Sequence, residues 1–305
     1  MTIGVVAPVR PVGNMIDDSV AAAKEAAAEG LASVWFGQRF DVDAVALAGF
    51  VGREVPGIAV GTAVVPVFGR HPVLLASQAA TTQAATGGRY TLGLGLGAKA
   101  LVEAPFGVTF ERPVLRLREF LTALRSLLET GSVAFDGETL SAHTPMPATV
   151  PGAGPVPLMV AAMGPQALRV TGELADGTIP FLASPKVLAD HIVPAVTSAA
   201  TRAGRPAPRI IAVVPGVVTA DVDAAREVAV AKTAFYDRVP SYRRVVELGG
   251  ATRAAELVVI GDEDHVSAEV TRYLDAGATD VVFAQTDLTT DEDRLRTWRL
   301  LGAIS

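Results

Sequence analysis

The segment from Ile58 to Gly97 constrains the fold of this chain most strongly, because it reads as one complete strand, helix and strand unit. The apolar, β-branched run from Ile58 to Val65 predicts a strand. His71 and Pro72 then place a proline in the first turn of a helix, which the pattern extends from Val73 to Thr86. A second strand is predicted from Tyr90 to Leu94. This order is typical of a parallel sheet covered by helices.

The second strand of this unit runs into three alternating glycines, Gly93, Gly95 and Gly97. A glycine has no side chain, so another group can approach its backbone closely. We therefore interpret this strand end as one that faces a ligand.

The same alternation of apolar strands and amphipathic helices continues on both sides of this unit. The other strands are predicted at Ile3–Ala7, Ser33–Phe36, Leu158–Ala162, Thr178–Phe181, Arg209–Val218 and Asp280–Ala284. This number of repeats in 305 residues fits a (β/α)₈ TIM barrel, which takes about 250 residues or more with insertions. Residues 131–157 break the alternation with a hairpin near Asp136 and Gly137, and are predicted to be an insertion. We expect residues 1–305 to form a single domain.

Two helices carry further predictions. The helix from Pro113 to Thr130 has a leucine stripe that should face the core. The stripe consists of Leu117, Leu121, Leu124 and Leu128. The helix from Pro185 to Ala203 contains Pro194, which should kink it.

A doubly wound sheet is the alternative architecture. Gly95, Gly97 and Ala100 match the pattern G-x-G-x-x-A of dinucleotide-binding proteins. However, Pro105 and Gly107 follow where that motif requires a helix, and this favours the barrel.

Composition excludes several classes of function. The chain has no cysteine, which removes disulfides, thiolate nucleophiles and thiolate metal sites. Its four histidines are scattered, so no metal site is expected. The net charge of −6 and the lack of a basic block argue against nucleic acid as a partner. The sequence shows no basic leader and no long apolar segment, so we expect a cytoplasmic protein without a membrane span.

Several motifs together resemble the bacterial luciferase-like monooxygenase superfamily over nearly the whole chain. These are Trp35-Phe36-Gly37-Gln38-Arg39-Phe40-Asp41, Gly61-Thr62-Ala63-Val64-Val65-Pro66, Arg70-His71-Pro72, the stretch Gly87–Gly95, Val160-Ala161-Ala162-Met163-Gly164-Pro165 and Gly172-Glu173-Leu174-Ala175-Asp176-Gly177. Within the superfamily the chain is most similar to the actinobacterial branch that uses the deazaflavin coenzyme F420. The resemblance implies a TIM barrel, a homodimer and a small-molecule substrate.

The resemblance also implies where the coenzyme binds. Members of the superfamily hold the flavin or deazaflavin ring at the C-terminal mouth of the barrel, against a bulge in strand three that often contains a non-prolyl cis peptide. That bulge falls at Ala63-Val64. Gly164 and Pro165 end a strand and begin a helix whose free N–H groups suit a phosphate, although a plain helix cap is the alternative. The implied coenzyme-binding residues are Ala63, Val64, Val65, Gly95, Gly97, Ala98, Gly164 and Pro165.

The chain departs from the pattern of related deazaflavin enzymes at the expected catalytic positions. Gln38 and Arg39 stand where those enzymes commonly carry an acidic residue followed by His, and Ala98 falls near the place of a catalytic Glu in sugar-phosphate dehydrogenases. Arg39 stays protonated and cannot act as a general acid near neutral pH. This favours reduction of an activated C=C or C=N bond over oxidation of an alcohol. His71 is a candidate acid, with helix capping as the alternative.

Other interpretations stay open at this level. One alternative is an FMN-dependent monooxygenase that is supplied by a separate reductase. Another is a barrel that binds a flavin or deazaflavin without catalysis. A lyase would have to use Lys99 as its Schiff-base lysine. Trp35 and Phe36 either line the ring pocket or belong to the core. A basic rim for a phosphate or a polyglutamate tail is expected from Arg70, Lys99, Arg112 and Arg169.

Overall fold

The structure, a computed structural model, describes residues 2–8 and 13–305. Its strands are β1 (Thr2–Val6), β2 (Ser33–Phe36), β3 (Ala59–Thr62), β4 (Val65–Pro66), β5 (Tyr90–Gly95), β6 (Ala134–Asp136), β7 (Ser141–His143), β8 (Leu158–Ala161), β9 (Gly177–Thr178), β10 (Arg209–Val218), β11 (Val259–Gly261) and β12 (Asp280–Ala284). Its α-helices are α1 (Met15–Ala28), α2 (Ala44–Glu54), α3 (Pro72–Ala85), α4 (Lys99–Phe106), α5 (Pro113–Thr130), α6 (Pro165–Leu174), α7 (Pro185–Val187), α8 (Val193–Arg202), α9 (Val222–Thr233), α10 (Pro240–Leu248), α11 (Glu263–Asp275) and α12 (Asp291–Ala303).

The described residues divide into two compact units. Unit 1 comprises the described parts of Met1–Trp35, Ile179–Ala195 and Arg209–Ser305, and unit 2 comprises Phe36–Thr178 and Val196–Pro208. Each unit alternates strands with helices, as the apolar pattern predicts.

Unit 1 is built on a parallel sheet in the order β11, β10, β12, β1, β2. Ile3 of β1 pairs with Val281 of β12, and neither side chain is exposed. Such continuous apolar strands are expected when helices cover a parallel sheet. A second buried cluster gathers Val217, Ala225, Ala229, Val258, Ile260 and Leu288.

Unit 2 has parallel strands in the order β3, β5, β8, β9, and β4 pairs with β5 beside β3. Helices α2, α3, α5 and α6 pack side by side in that order. Leu117, Leu121 and Leu124 of α5 are fully buried, which confirms the core-facing stripe, whereas Leu128 is partly exposed. The antiparallel pair β6–β7 confirms the predicted hairpin in the insertion.

The predicted strand from Ile58 to Val65 is interrupted in the structure. β3 ends at Thr62 and β4 begins at Val65, and the peptide bond between Ala63 and Val64 is cis. The break therefore lies where the resemblance to the luciferase-like proteins places a bulge.

The prediction that Pro105 prevents a helix after Gly97 is wrong. Helix α4 runs through Pro105 to Phe106, and Gly107 ends it with a φ of 63°. A proline removes one backbone hydrogen bond, and that loss falls in the last turn of a short helix. The chain after Gly97 is therefore helical from Lys99 to Phe106.

The predicted helix from Pro185 to Ala203 is continuous but irregular. Residues Leu188–Ile192 form a π-helix between α7 and α8, and Pro194 is the second residue of α8. Proline has no N–H to donate, so the regular hydrogen-bond pattern fails one turn earlier, and π-segments accompany helix kinks.

Two strand predictions need correction. β11 lies in a segment where no strand was expected, because its apolar core has only three residues. β9 covers Gly177–Thr178 only, while Phe181 makes an isolated bridge to Val213.

Candidate functional site

The strand ends of β4, β5 and β8 bring three of the predicted coenzyme segments together in unit 2. Pro66 of β4 pairs with Gly95 of β5, and Gly95 also pairs with Ala161 of β8. The strands are parallel, so the residues that follow them emerge at the same edge of the sheet. The Gly97–Ala98 turn and the Gly164–Pro165 turn therefore leave the sheet at the same edge, and Val64 of the cis peptide lies beside Gly95.

Gly93 and Gly95 are glycines because a neighbouring strand passes close to them. A Cβ on Gly93 would lie 1.9 Å from the carbonyl oxygen of Thr62, and one on Gly95 would lie 2.7 Å from Cγ2 of Val64. The Thr62 hydroxyl fixes this contact, since Oγ1 donates to the Gly93 carbonyl at 3.0 Å and accepts from its N–H at 2.9 Å. Close approach of the chain therefore explains both glycines, and that this strand end faces a ligand stays a prediction.

Open backbone lies instead at the starts of α4 and α6. Their N-cap residues, Ala98 and Gly164, make no side-chain capping hydrogen bond. A Cβ added to Gly164 would meet nothing within 4 Å, and Pro165 occupies the first helical position. The following N–H groups of α6 lack partners within the helix, and such groups bind anions. This turn fits a phosphate or carboxylate.

The Gln38 amide is fully used by the protein. Its Nε2 donates to the carbonyls of Arg39 at 2.6 Å and Val42 at 2.9 Å. Its Oε1 accepts from the Ala44 N–H at 3.1 Å and from Nη2 of Arg70 at 2.8 Å. An amide has two donors and two acceptor positions, so none is left for a ring edge. Gln38 orders the loop between β2 and α2.

Arg39 lies on the rim of the site and is paired with Asp41. Nη2 of Arg39 lies 2.6 Å from Oδ2 of Asp41, and the two side chains are 44% and 51% exposed. The hydrogen bond to Asp41 raises the pKa of Arg39, so the guanidinium stays charged. Its Nη1 contacts no acceptor among the residues that the structure describes.

Arg70 and Asp43 form a second, less exposed pair. Nη2 of Arg70 lies 2.5 Å from Asp43, and its Nη1 donates to Oε1 of Gln78 at 3.0 Å. Asp43 also caps α2 by accepting from the N–H groups of Val45 and Ala46. Burial opposes ionisation of Asp43, but the Ala46 amide and Arg70 outweigh it and hold its pKa below the usual value. Arg70 is thereby fixed in place.

His71 caps helix α3, which confirms the capping interpretation. Its Nδ1 accepts from the N–H of Val73 at 3.3 Å, and its Nε2 lies 2.9 Å from the carbonyl oxygen of Ser141. The first bond needs a bare Nδ1 and the second needs a proton on Nε2. Both ring nitrogens are therefore engaged by the chain, and donating the Nε2 proton elsewhere would break the bond to Ser141.

A cavity of 530 Å³ opens beside these residues, and we call it the arginine–phenylalanine cavity. Its lining consists of Gln38, Arg39, Phe40, Pro66, Phe68, Gly69, Arg70, His71, Leu74, Leu75, Gln78 and Phe106. All three predicted catalytic residues are in this set, and none of the predicted coenzyme-binding residues is. Its volume is in the range of small-molecule sites, about 300–1,000 Å³.

The sequence did not indicate the apolar walls of this cavity. Phe40, Leu74 and Phe106 come from the loop after β2, the start of α3 and the end of α4. They are 69%, 64% and 41% exposed, and the rings of Phe40 and Phe106 lie 6.0 Å apart. Of the three, only Phe40 belongs to a motif that the sequence singles out, the one from Trp35 to Asp41.

The other candidates prove to be paired or buried. Each residue of the expected basic rim has a carboxylate partner; the pairs are Arg70–Asp43, Lys99–Glu103, Arg112–Glu138 and Arg169–Glu173. Trp35 is 2% exposed and donates to the Ser33 hydroxyl, as a core residue would. Phe36 is 4% exposed and is likewise buried in the core.

Residues 2–8 and 13–305 contain no helix long and apolar enough to cross a bilayer. Within the same residues, no three His, Asp or Glu side chains are grouped as a metal site requires.

Comparison with known proteins adds relatives in sequence. An uncharacterized protein of Mycobacterium tuberculosis is 32% identical over 203 residues, which make up 62% of this chain and 60% of that protein. The chain therefore matches about three fifths of the length of that relative. An F420-dependent glucose-6-phosphate dehydrogenase of Kineococcus radiotolerans is 29% identical over 297 residues, or 89% of this chain and 86% of that enzyme.

Solved structures share the fold. An F420-dependent secondary alcohol dehydrogenase in complex with an F420-acetone adduct superposes with a TM-score of 0.83 at 19% identity, over 98% of this chain and 97% of that one. The prediction of a luciferase-like (β/α)₈ barrel is thereby confirmed. The profile described as luciferase-like monooxygenase matches residues 1–293. The chain therefore belongs to the luciferase-like monooxygenase family.

Proposed function

We propose that this protein is an F420-dependent oxidoreductase that transfers a hydride between the deazaflavin and a small organic substrate. The observation that carries the proposal is that the Gly97–Ala98 turn and the open start of α6 leave the sheet at one edge, beside the strand break between Thr62 and Val65. The relatives that use F420 support the choice of coenzyme.

The residues at this edge suit the parts of such a coenzyme. Ala63 and Val64 would support the ring through the backbone of the interrupted strand, with Val65, Gly95 and Ala98 beside them. Gly164 and Pro165 would hold an anionic group of the tail, because the open N–H groups of α6 point toward it. When bound, reduced F420 would supply the hydride.

The side chains near the cavity favour reduction of an activated C=C or C=N bond. Alcohol oxidation needs a base to take the hydroxyl proton. Gln38 is saturated, Arg39 is a charged guanidinium, and Ala98 has no titratable group. Reduction adds a hydride to one atom of the double bond and a proton to the other, and solvent can give that proton, whereas both ring nitrogens of His71 are engaged by the chain.

The same proposal includes a cytoplasmic homodimer without a nucleic-acid partner. An FMN-dependent monooxygenase is the second candidate, favoured by the description of the family that the chain belongs to. A barrel that binds the coenzyme without turning over a substrate is the third, favoured by the absence of an acidic group at positions 38, 39 and 98.

Separate titrations of the apo protein with F420 and with FMN test this assignment. We expect F420 to bind with micromolar or tighter affinity and FMN to bind at least about tenfold more weakly, a difference of about 1.4 kcal/mol. Coenzyme absorbance and quenching of the fluorescence of Trp35 and Trp298 report binding. The reverse preference would assign the chain to the FMN enzymes, and binding of neither coenzyme would reject the proposal.

A further inference from the structure

The arginine–phenylalanine cavity offers hydrogen-bond donors and very few acceptors. Nη1 of Arg39 has no partner among the described residues, and neither has Nε2 of Gln78. The orientation of the Gln78 amide is fixed, because its partner Arg70 can only donate and must face the oxygen. Two unengaged donors thus line one cavity.

The acceptors of the cavity are already used. Oε1 of Gln38 accepts twice, and Nδ1 of His71 accepts from the N–H of Val73. Asp41 and Asp43, the partners of the two arginines, do not line the cavity, and no other carboxylate does. A ligand rich in acceptors, such as an oxyanion, would satisfy the free donors.

The rest of the lining is apolar. Phe40, Phe106 and Leu74 leave 69%, 41% and 64% of their surface exposed around the opening, while Phe68 and Leu75 are buried beneath. Exposed apolar side chains that converge on one cavity mark a binding site more often than scattered ones do. The ligand therefore needs an apolar body as well as an anionic end.

The polar tail of a deazaflavin does not match these walls. An acidic tail suits the open N-terminus of α6, whose cap Gly164 lies outside the cavity lining. Pro66 lines the cavity and pairs with Gly95, so the cavity adjoins the coenzyme edge without including it. This position suits the substrate.

We propose that the cavity binds a substrate with an aromatic or branched apolar body and one carboxylate, which Arg39 and Gln78 bind. The inference rests on the proposed function for its hydride donor, and it names the substrate class of that site. Arg70 acts as a positioning residue, since its ion pair with Asp43 and its bond to Gln78 hold the Gln78 donor in place.

Calorimetric titration with 2-naphthoate and with its uncharged amide, 2-naphthamide, tests the cavity without coenzyme. We expect the wild-type protein to bind the carboxylate about tenfold more tightly, a ratio equivalent to about 1.4 kcal/mol. The Arg39→Gln variant should bind both probes equally, and Arg39→Lys should keep part of the preference. Phe40→Ala should weaken both probes by the same factor.

Arg272→Gln is the matched control. Nη1 of Arg272 lies 2.6 Å from Oε1 of Glu269, and the side chain is 64% exposed, so it is an arginine in a similar ion pair away from the cavity. We expect it to leave both affinities unchanged. If Arg272→Gln lost the preference for 2-naphthoate over 2-naphthamide as fully as Arg39→Gln, the preference would come from the overall charge of the protein. That result would overturn the proposal.

Three further results would also overturn it. The first is equal affinity of the wild-type protein for the two probes, and the second is displacement of 2-naphthoate by F420. The third is that 2-naphthoate binds only after the Phe40→Asp substitution has dissociated a dimer, which would mean that a second copy of the chain covers the cavity. If the protein did not bind F420 but still bound 2-naphthoate more tightly than 2-naphthamide, the proposed function would be rejected. The assignment of the cavity to a carboxylate ligand would then remain.

Discussion

A glycine at the end of a strand has two physical explanations, approach of a ligand or approach of another part of the chain. Gly93 and Gly95 belong to the second kind, because Thr62 and Val64 occupy the space that a side chain would need. Gly164 has no such neighbour, since a Cβ there would meet nothing within 4 Å in the described structure. The difference between them is a matter of a few ångströms.

Gly93→Ala should therefore destabilise the protein strongly. A Cβ placed 1.9 Å from the Thr62 carbonyl oxygen cannot be relieved by rotating a side chain, because the obstacle is backbone. We expect the free energy of unfolding to fall by about 3 kcal/mol, at the upper end for overpacking. Gly57→Ala, where a Cβ would meet nothing within 4 Å, is the control and should change stability little. Urea denaturation measures both, and equal losses would contradict this account of Gly93.

At the scale of elements, a single carboxylate ties α5 to the turn of the β6–β7 hairpin. Oε1 of Glu119 accepts from the N–H of Glu138 at 2.7 Å, and its Oε2 accepts from the N–H groups of Thr139 at 2.8 Å and Leu140 at 3.2 Å. Burial opposes ionisation, but the Thr139 hydroxyl and these amides outweigh it and hold the pKa of Glu119 below its usual value. The insertion is thus anchored by charge-assisted hydrogen bonds.

Glu119→Gln should lower the free energy of unfolding by about 2 kcal/mol at neutral pH, since hydrogen bonds to a charged group are worth about 1.5–3 kcal/mol. A depressed pKa gives stability that is present above the unfolded value of about 4.3 and is lost as the pH falls through the folded pKa. The difference between wild type and variant should accordingly narrow below about pH 4. Denaturation curves across this range measure it.

Glu129→Gln provides the comparison on the same helix. Glu129 is 57% exposed and pairs with Arg125 one turn away. An exposed pair of this kind is worth about 0.5 kcal/mol or less. If the free energy of unfolding of Glu119→Gln were lower than that of wild type by the same amount at every pH, the loss would come from packing and not from the ionised carboxylate.

Periodicity predicted the elements well where one face of a long segment is apolar. The helix predicted to begin at Pro165 does begin there as α6, because proline fits the first helical position. β9 and β11 have two and three residues, too few for such a pattern. Strands as short as these are therefore found only from the structure.

The candidate site was predictable only in part. Family motifs named Gln38, Arg39 and His71 as catalytic candidates, and all three line the arginine–phenylalanine cavity. The saturation of the Gln38 amide depends on two carbonyls, one backbone N–H and one guanidinium, which come from four other positions. Phe106 reaches the cavity from a helix that the sequence argued against. Neither fact leaves a trace in local sequence.

At the scale of the whole molecule, the tyrosines share one property. The chain has four, and burial raises the pKa of each of them, Tyr90, Tyr236, Tyr242 and Tyr273. A phenol with a raised folded pKa gives stability that is fully present below the unfolded value of about 10 and is lost as the pH rises through the folded pKa. Alkaline pH thus acts on both compact units, because Tyr90 lies in unit 2 and the other three tyrosines lie in unit 1.

Alkaline titration of the native protein should therefore show no separate ionisation of tyrosine. We expect the absorbance of tyrosinate to stay flat through about pH 10 and then to rise together with the loss of far-ultraviolet circular dichroism. The two signals coincide because the phenols ionise when unfolding exposes them. An absorbance step near pH 10 with unchanged circular dichroism would show that at least one phenol ionises in the folded protein, against the raised pKa of all four tyrosines.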